Sequence, residues 1–289
     1  MMHSPQATLL AKKALPLLIS PDQGVAVLGE AFPRKHKSLE ETVRSLEGDR
    51  PKAAAVAVSE SLWGRYTLFC IDRHSGGCAW YREPSGGQRL YTWRVGAISI
   101  VTDCLSSEII AAIGRRPSIN WERVAQLIRQ TEMSASFCAL NEIEIVQPGM
   151  LLACSDSRIA STTIWSPERF CAAGRIVEAE QLPKLAAECV SRWLEGHSRV
   201  TIELSGGLDS SIVAGLLAND PKSPFIQGLT IIPESPGGDE RAYARSVARK
   251  WNFGLVETRV TPEQLNYLEL LAGSRPSMRC NLGCGHRAA

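Results

Sequence analysis

No run of apolar residues in this chain reaches the roughly 18 to 20 needed to span a bilayer as a helix, so the sequence gives no reason to expect a membrane protein. Charge of one sign is also lacking. The 32 Lys and Arg against 30 Asp and Glu leave a net charge of +2, and the basic residues form no sustained stripe, which gives no case for a nucleic-acid partner. Residues 6–19 are not expected to be a secretory signal either. Residues 6–19 are apolar but interrupted by Lys12 and Lys13, and no small-residue cleavage site follows, so an amphipathic helix is expected there. The nine cysteines are odd in number and dispersed, with Cys70 and Cys154 in apolar strand-like runs and Cys189 on a helix face. This is the usage of reduced thiols in a cytoplasmic protein rather than of a disulfide framework. What remains is ordinary globular material: 44% apolar residues over a length that favours two domains.

Against that background one stretch stands out. Val200-Thr201-Ile202-Glu203-Leu204 reads as a strand, Ser205-Gly206-Gly207 as a tight turn, and Ser210 to Leu217 as a helix. A Gly-Gly turn feeding a helix start is the geometry of an anion site. Glycines admit a ligand close to the backbone, the helix presents free N–H groups and its positive end, and Ser205, Ser210 and Ser211 add hydroxyls. Pyrophosphate is the natural guest. Asp209 would repel it unaided, so its presence predicts a divalent ion, Mg²⁺, between carboxylate and phosphates. The loop is not a Walker A motif, because no Lys precedes Ser210.

The flanking chain divides into two patterns. Before residue 165 short strands crowd together: 24–29, 53–58, 66–71, 78–82, 90–93 and 97–101, with a hairpin turn at His74–Cys78 and a Pro-Ser-Gly-Gly loop after Arg82. Layered β structure with helices outside follows from that density. Residues 166–180 read as a linker. Beyond it, Leu182, Leu185, Ala186, Cys189, Val190, Trp193 and Leu194 form an apolar helical stripe. Strand 200–204, helix 210–217, strand 225–231, helix 239–251 and strand 255–260 then alternate, which predicts a parallel sheet with its ligand at the strand carboxyl ends, where Ser205 to Asp209 lies. Asp239 at a helix start is explained by the helix dipole and is left out of the metal site. A helix is expected over 265–272. From Arg275 onward periodicity is lost, and Cys280, Cys284 and His286 are too crowded and irregular for a zinc set.

Ser205-Gly-Gly-Leu-Asp-Ser-Ser211 resembles the pyrophosphate loop of the asparagine synthetase-like ATP-dependent amide ligases. Several other segments are similar to that family in order and spacing: Gly64 to Arg73 with Arg82 to Tyr91, Ser107 and Glu108 in a helix over 102–113, and Ile143 to Gly149 followed by Trp165. The resemblance implies a layered α+β amino-terminal domain of Ntn-hydrolase type over residues 1–165, a linker over 166–180, and over 181–289 an incomplete α/β parallel-sheet synthetase domain of ATP-pyrophosphatase type. It further implies ATP and Mg²⁺ as cofactors. Ser205, Gly206, Gly207, Asp209 and Ser210 would contact phosphate or metal, with Ser211 beside them. The backbone at Glu203 and Leu204 and the strand residues Gln227 and Gly228 would touch the nucleotide, and Ala244 and Ala248 fit the family's next helix.

Two departures from the family shape the functional expectation. Glutamine-using members carry a leading cysteine whose own α-amine acts as base, but this sequence begins Met1-Met2-His3-Ser4 and has no cysteine before Cys70, so glutamine hydrolysis is not expected. His3 and Ser4 are read as a disordered tail, and the family's first strand is expected to be absent. The family's second acidic Gly-rich loop has no counterpart before Ala289, so the carboxyl end reads as truncated. The expected function is ATP-dependent amide formation by adenylation of a carboxylate and attack of an amine, in the manner of lasso-peptide macrolactam synthetases acting on a precursor peptide alongside a leader-peptide protease. Glutamine-hydrolysing asparagine synthetase acting on a small-molecule substrate is the alternative, and a non-catalytic remnant or binding module is the rival of another class.

Overall fold

Pro21-Asp22-Gln23-Gly24 folds the chain back on itself. Gln23 takes a left-handed φ of 55°, the Ser20 amide donates to the Val25 carbonyl, and the Ser20 hydroxyl accepts from the Val25 amide. A computed structural model of the protein describes residues 2–3, 8–9, 17–34, 38–72, 76–96, 98–105, 107–112, 116–130, 136–155, 158–171, 178–233 and 238–259. They fall into two units that divide between Gly174 and Arg175.

In the first unit β1 (Met2–His3) pairs with β2 (Thr8–Leu9), and β3 (Leu17–Ile19) pairs with β4 (Val25–Pro33) through the Ser20–Gly24 turn. These strands overturn the helix expected over 6–19 at Thr8–Leu9 and Leu17–Ile19, the disordered tail expected at His3, and the absence of a strand ahead of Gly24; Ser4 and the rest of 6–19 lie outside the described residues. The Pro-Asp-Gln-Gly turn sets Leu17, Leu18 and Ile19 against the edge of β4.

After α1 (Leu39–Arg44) comes α2 (Pro51–Ser61), where the sequence predicts a strand over 53–58. The reason is compositional. Proline suits the first helical position, and the run Ala53-Ala54-Ala55-Val56-Ala57 has the highest helix propensity available, so Ala54, Ala55 and Val58 are buried as one face.

Next come β5 (Leu62–Ile71), β6 (Cys78–Arg82), β7 (Tyr91–Val95), β8 (Ile98–Thr102), α3 (Ser107–Ala112), α4 (Trp121–Arg129), β9 (Glu144–Ile145), β10 (Met150–Ser155), β11 (Arg158–Thr163) and α5 (Glu168–Cys171). Six strands form one antiparallel sheet in the order β11-β10-β6-β5-β4-β3, and β8-β7-β9 form a second. Both faces of β4 and β5 are buried. Val25, Val27, Leu68 and Cys70 pack with α2, while Ala26, Leu28, Phe69 and Ile71 pack on the opposite face with Cys78 and Trp80.

Arg82 ties the end of β6 to its surroundings and is fully buried. Its guanidinium donates to the carbonyls of Gln88 at 2.7 Å, Val146 at 2.6 Å and Gly86 at 2.9 Å. Burial lowers its pKa to about 10, against the pull of the buried Glu83 carboxylate beside it. The chain enters β10 through Gly149, whose φ of 75° and carbonyl, accepting from the Ile164 and Trp165 amides, suit glycine alone: a Cβ would lie 2.3 Å from the Trp165 carbonyl oxygen.

The second unit contains α6 (Leu182–Leu194), β12 (Arg199–Glu203), α7 (Leu208–Asn219), β13 (Phe225–Ile232), α8 (Arg241–Trp251) and β14 (Gly254–Arg259). The three strands are parallel in the order β12-β13-β14. Ile202, Leu204, Ala214, Leu217, Ile226, Ala244 and Ala248 make its core, with Val190 and Leu194 of α6 packed on it, whereas Leu182 and Leu185 at the start of the same stripe stay exposed. The helix expected over 265–272 and the residues Cys280, Cys284 and His286 lie outside the described residues.

Replacing Arg82 by Met keeps the volume but strands three carbonyls in the interior and removes the cation beside Glu83. Urea unfolding should show a loss of about 3 to 5 kcal/mol.

Candidate functional site

The loop begins where β12 ends. Glu203, exposed, is the last strand residue and sits opposite Leu229 of β13. Leu204 is fully buried and its amide donates to the Leu229 carbonyl at 2.8 Å, so any approach of this residue to a ligand is through its backbone. Gly206 then turns the chain with φ of 86°, and Gly207 caps α7 from an extended conformation, φ −66° and ψ 170°.

The two glycines have different jobs. A Cβ on Gly206 would lie 2.4 Å from Tyr243 Cβ and 2.5 Å from the Ala244 amide nitrogen, so this residue is needed for the loop to pack on the first turn of α8. At Gly207 a Cβ would meet nothing nearer than the Ser205 hydroxyl at 3.3 Å. Its φ is ordinary for any residue and the Ser205 hydroxyl need give by only a few tenths of an ångström, so the protein itself does not demand glycine there.

The hydroxyls are arranged around that start. Ser205 Oγ accepts from the Gly207 amide at 3.2 Å and lies 3.1 Å from Ser210 Oγ. Ser210 also donates to the Gly207 carbonyl at 3.3 Å, and Ser211 donates to the same carbonyl at 2.7 Å, which commits its hydroxyl to the body of the helix. No side chain caps α7. Its first-turn N–H groups therefore keep their capacity for an anion, reinforced by the helix dipole.

Asp209 stands exposed in that first turn and is the loop's one carboxylate. Among the described residues no three His, Cys, Asp or Glu side chains converge as a metal set. Asp239 is engaged elsewhere: its carboxylate accepts three bonds from Arg241, 2.8 Å from Nε, 2.6 Å from Nη2 and 3.1 Å from the main-chain amide, and these hold its pKa down to about 2. Gln227 and Gly228 lie in mid β13, level with Thr201 and Ile202, with Gly228 packed beneath Leu204. The structure thus gathers Ser205, Gly206, Gly207, Asp209 and Ser210 at the helix start and leaves Gly228 one residue and Gln227 two residues short of the level of Glu203.

Tyr243 was not singled out by the sequence reading, yet its Cβ forms the wall behind Gly206 and it is 67% exposed beside the loop. Small residues at Ala244 and Ala248, one helical turn apart, were the available signal that α8 packs close here.

Residues 181–274, about a third of the chain, match the family described as asparagine synthase. No curated protein sequence matches significantly. Among solved structures the chain is similar to an allosteric regulatory enzyme of purine biosynthesis, at 9% identity and TM-score 0.34, covering 86% of this chain and 62% of that one. It is also similar to a glutamine phosphoribosylpyrophosphate amidotransferase from B. subtilis complexed with ADP and GMP, at 13% identity and TM-score 0.32, covering 90% and 53%. The chain thus spans less than two thirds of the length of either structure.

The glycine division of labour is testable by thermal unfolding. Gly206→Ala should destabilise the second unit by at least about 2 kcal/mol, through the left-handed φ and the clash with α8, whereas Gly207→Ala should leave the melting temperature nearly unchanged. The segment that carries the loop is asparagine synthase-like.

Proposed function

We propose that this chain serves ATP-dependent amide-bond formation, in which a carboxylate is adenylated and an amine then displaces AMP. The observation that carries the reading is the uncapped start of α7 behind an open Gly207, lying inside the segment that matches the asparagine synthase family. In this reading the first-turn N–H groups of α7 and the Ser205 and Ser210 hydroxyls hold the pyrophosphate portion of ATP, and Ser211 supports the turn. The backbone at Glu203 and Leu204, with Gln227 and Gly228 on the neighbouring strand, lines the nucleotide side. Asp209 holds Mg²⁺, which would neutralise charge growing on the departing pyrophosphate.

The first unit, the degenerate glutaminase-like domain of this proposal, supplies no thiol suited to glutamine attack at Cys70. That thiol is fully buried in β5 and burial pushes its pKa up to about 12, far from the range of a nucleophile. In the proposed reading the amine is carried by the substrate itself, as in macrolactam closure of a precursor peptide, where holding the two ends in line is worth on the order of 7 to 11 kcal/mol.

Calorimetric titration with Mg²⁺–ATP tests the nucleotide site. Binding is expected in the wild type. Asp209→Ala should weaken it at least tenfold, about 1.4 kcal/mol, and Gly207→Val should abolish it without lowering the melting temperature, because the added side chain fills ligand space. A chain that is folded but shows no ATP affinity would make it a non-catalytic module. Pyrophosphate exchange stimulated by aspartate rather than by a precursor peptide would assign the asparagine synthetase alternative.

A further inference from the structure

Cys78 opens β6 and Cys154 lies near the end of β10, and the antiparallel register sets them directly opposite one another. Facing residues of such a ladder have Cα atoms about 4.5 or 5.5 Å apart, and both spacings fall within the roughly 4.4 to 6.8 Å that a disulfide bridges. Across the sheet the row reads Ile71, Cys78, Cys154, Ile159, so the two sulfurs project from one face between apolar neighbours. Both residues are half-buried, and both are free thiols.

The two thiols are chemically unequal. Cys154 is held below the usual thiol range, chiefly by a hydrogen bond from the Cys78 thiol and secondarily, against the effect of burial, by the nearby Arg94 guanidinium. Cys78, as the donor of that bond, is pushed well above the range. A thiol that shares its proton with a facing thiol favours attack by one member of the pair and resolution by the other.

We infer that Cys78 and Cys154 are a redox-active thiol pair that closes to a cross-strand disulfide on exposure to a low-molecular-weight disulfide such as oxidised glutathione. The Cys154 thiolate attacks one sulfur of the glutathione disulfide, forming a mixed disulfide and expelling one glutathione thiolate. That thiolate takes the proton of Cys78, whose sulfur then attacks Cys154 and expels the second glutathione. Two protein thiols are oxidised and one disulfide is reduced to two thiols, with no further reactant. The product joins β6 to β10 and so staples the segment between residues 78 and 154.

The test is peptide mapping by mass spectrometry of the native full-length chain titrated with oxidised glutathione, then alkylated. The exposed Cys171 reports when the oxidant is sufficient. Expected are a peptide linking Cys78 to Cys154 in the wild type and one glutathione trapped on Cys154 in Cys78→Ser. The inference is overturned if Cys171 is glutathionylated while both thiols of the wild type stay free, or if glutathione accumulates on Cys154 without the link to Cys78. The wild-type map decides the matter even where a variant does not fold.

Discussion

Gly206 packs so closely on Tyr243 and Ala244 that no side chain fits between them, and the remainder of the second unit's chemistry depends on that contact. It pins the turn after β12 to α8, which leaves the next residue, Gly207, free to open the start of α7 rather than close it. A loop pinned on one side and open on the other presents amide groups to a ligand with little ordering left to be done at binding. That arrangement suits transition-state stabilisation by fixed donors.

The first unit is held by a different device. Arg82 spends all of its reach on three main-chain carbonyls, with Glu83 gathering the Gly87 amide at 2.6 Å and the Ser85 amide beside it. Buried charges of this kind organise a loop whose backbone has no ladder of its own, and they lose far more when one partner is removed than the intact set contributes. The same residues carry the resemblance to a family pattern that the sequence shows as Arg82-Glu83-Pro84-Ser85-Gly86. The pattern therefore has a structural reason: it fixes the loop leading to β7.

Much of this was readable from residue order. Alternation of apolar runs and helical stripes gave the parallel strands and the helices of the second unit, because each element buries a face whose period is visible in one dimension. The loop from Ser205 to Ser211 declared itself through Gly-Gly between a strand and a helix. Ala53 to Val58 misled because a short apolar run does not distinguish a strand from a helix, and the deciding signals were Pro51 and the alanine content. Residues 17–19 misled because the apolar content outweighed the turn at Pro21 to Gly24. The role of Tyr243, and the differing roles of Gly206 and Gly207, come from contacts between elements some forty residues apart, which no local pattern records.

The central claim is that the main chain at the start of α7 receives a phosphate group. Two-dimensional NMR of the isotope-labelled chain titrated with inorganic pyrophosphate addresses it without reference to any amide-forming activity. The account predicts saturable shifts concentrated in the amide resonances of Gly207, Leu208, Asp209 and Ser210, with the core amide of Leu204 hardly moved. Shifts that are absent from these four residues, or that spread instead over surface arginines without saturating, would contradict it.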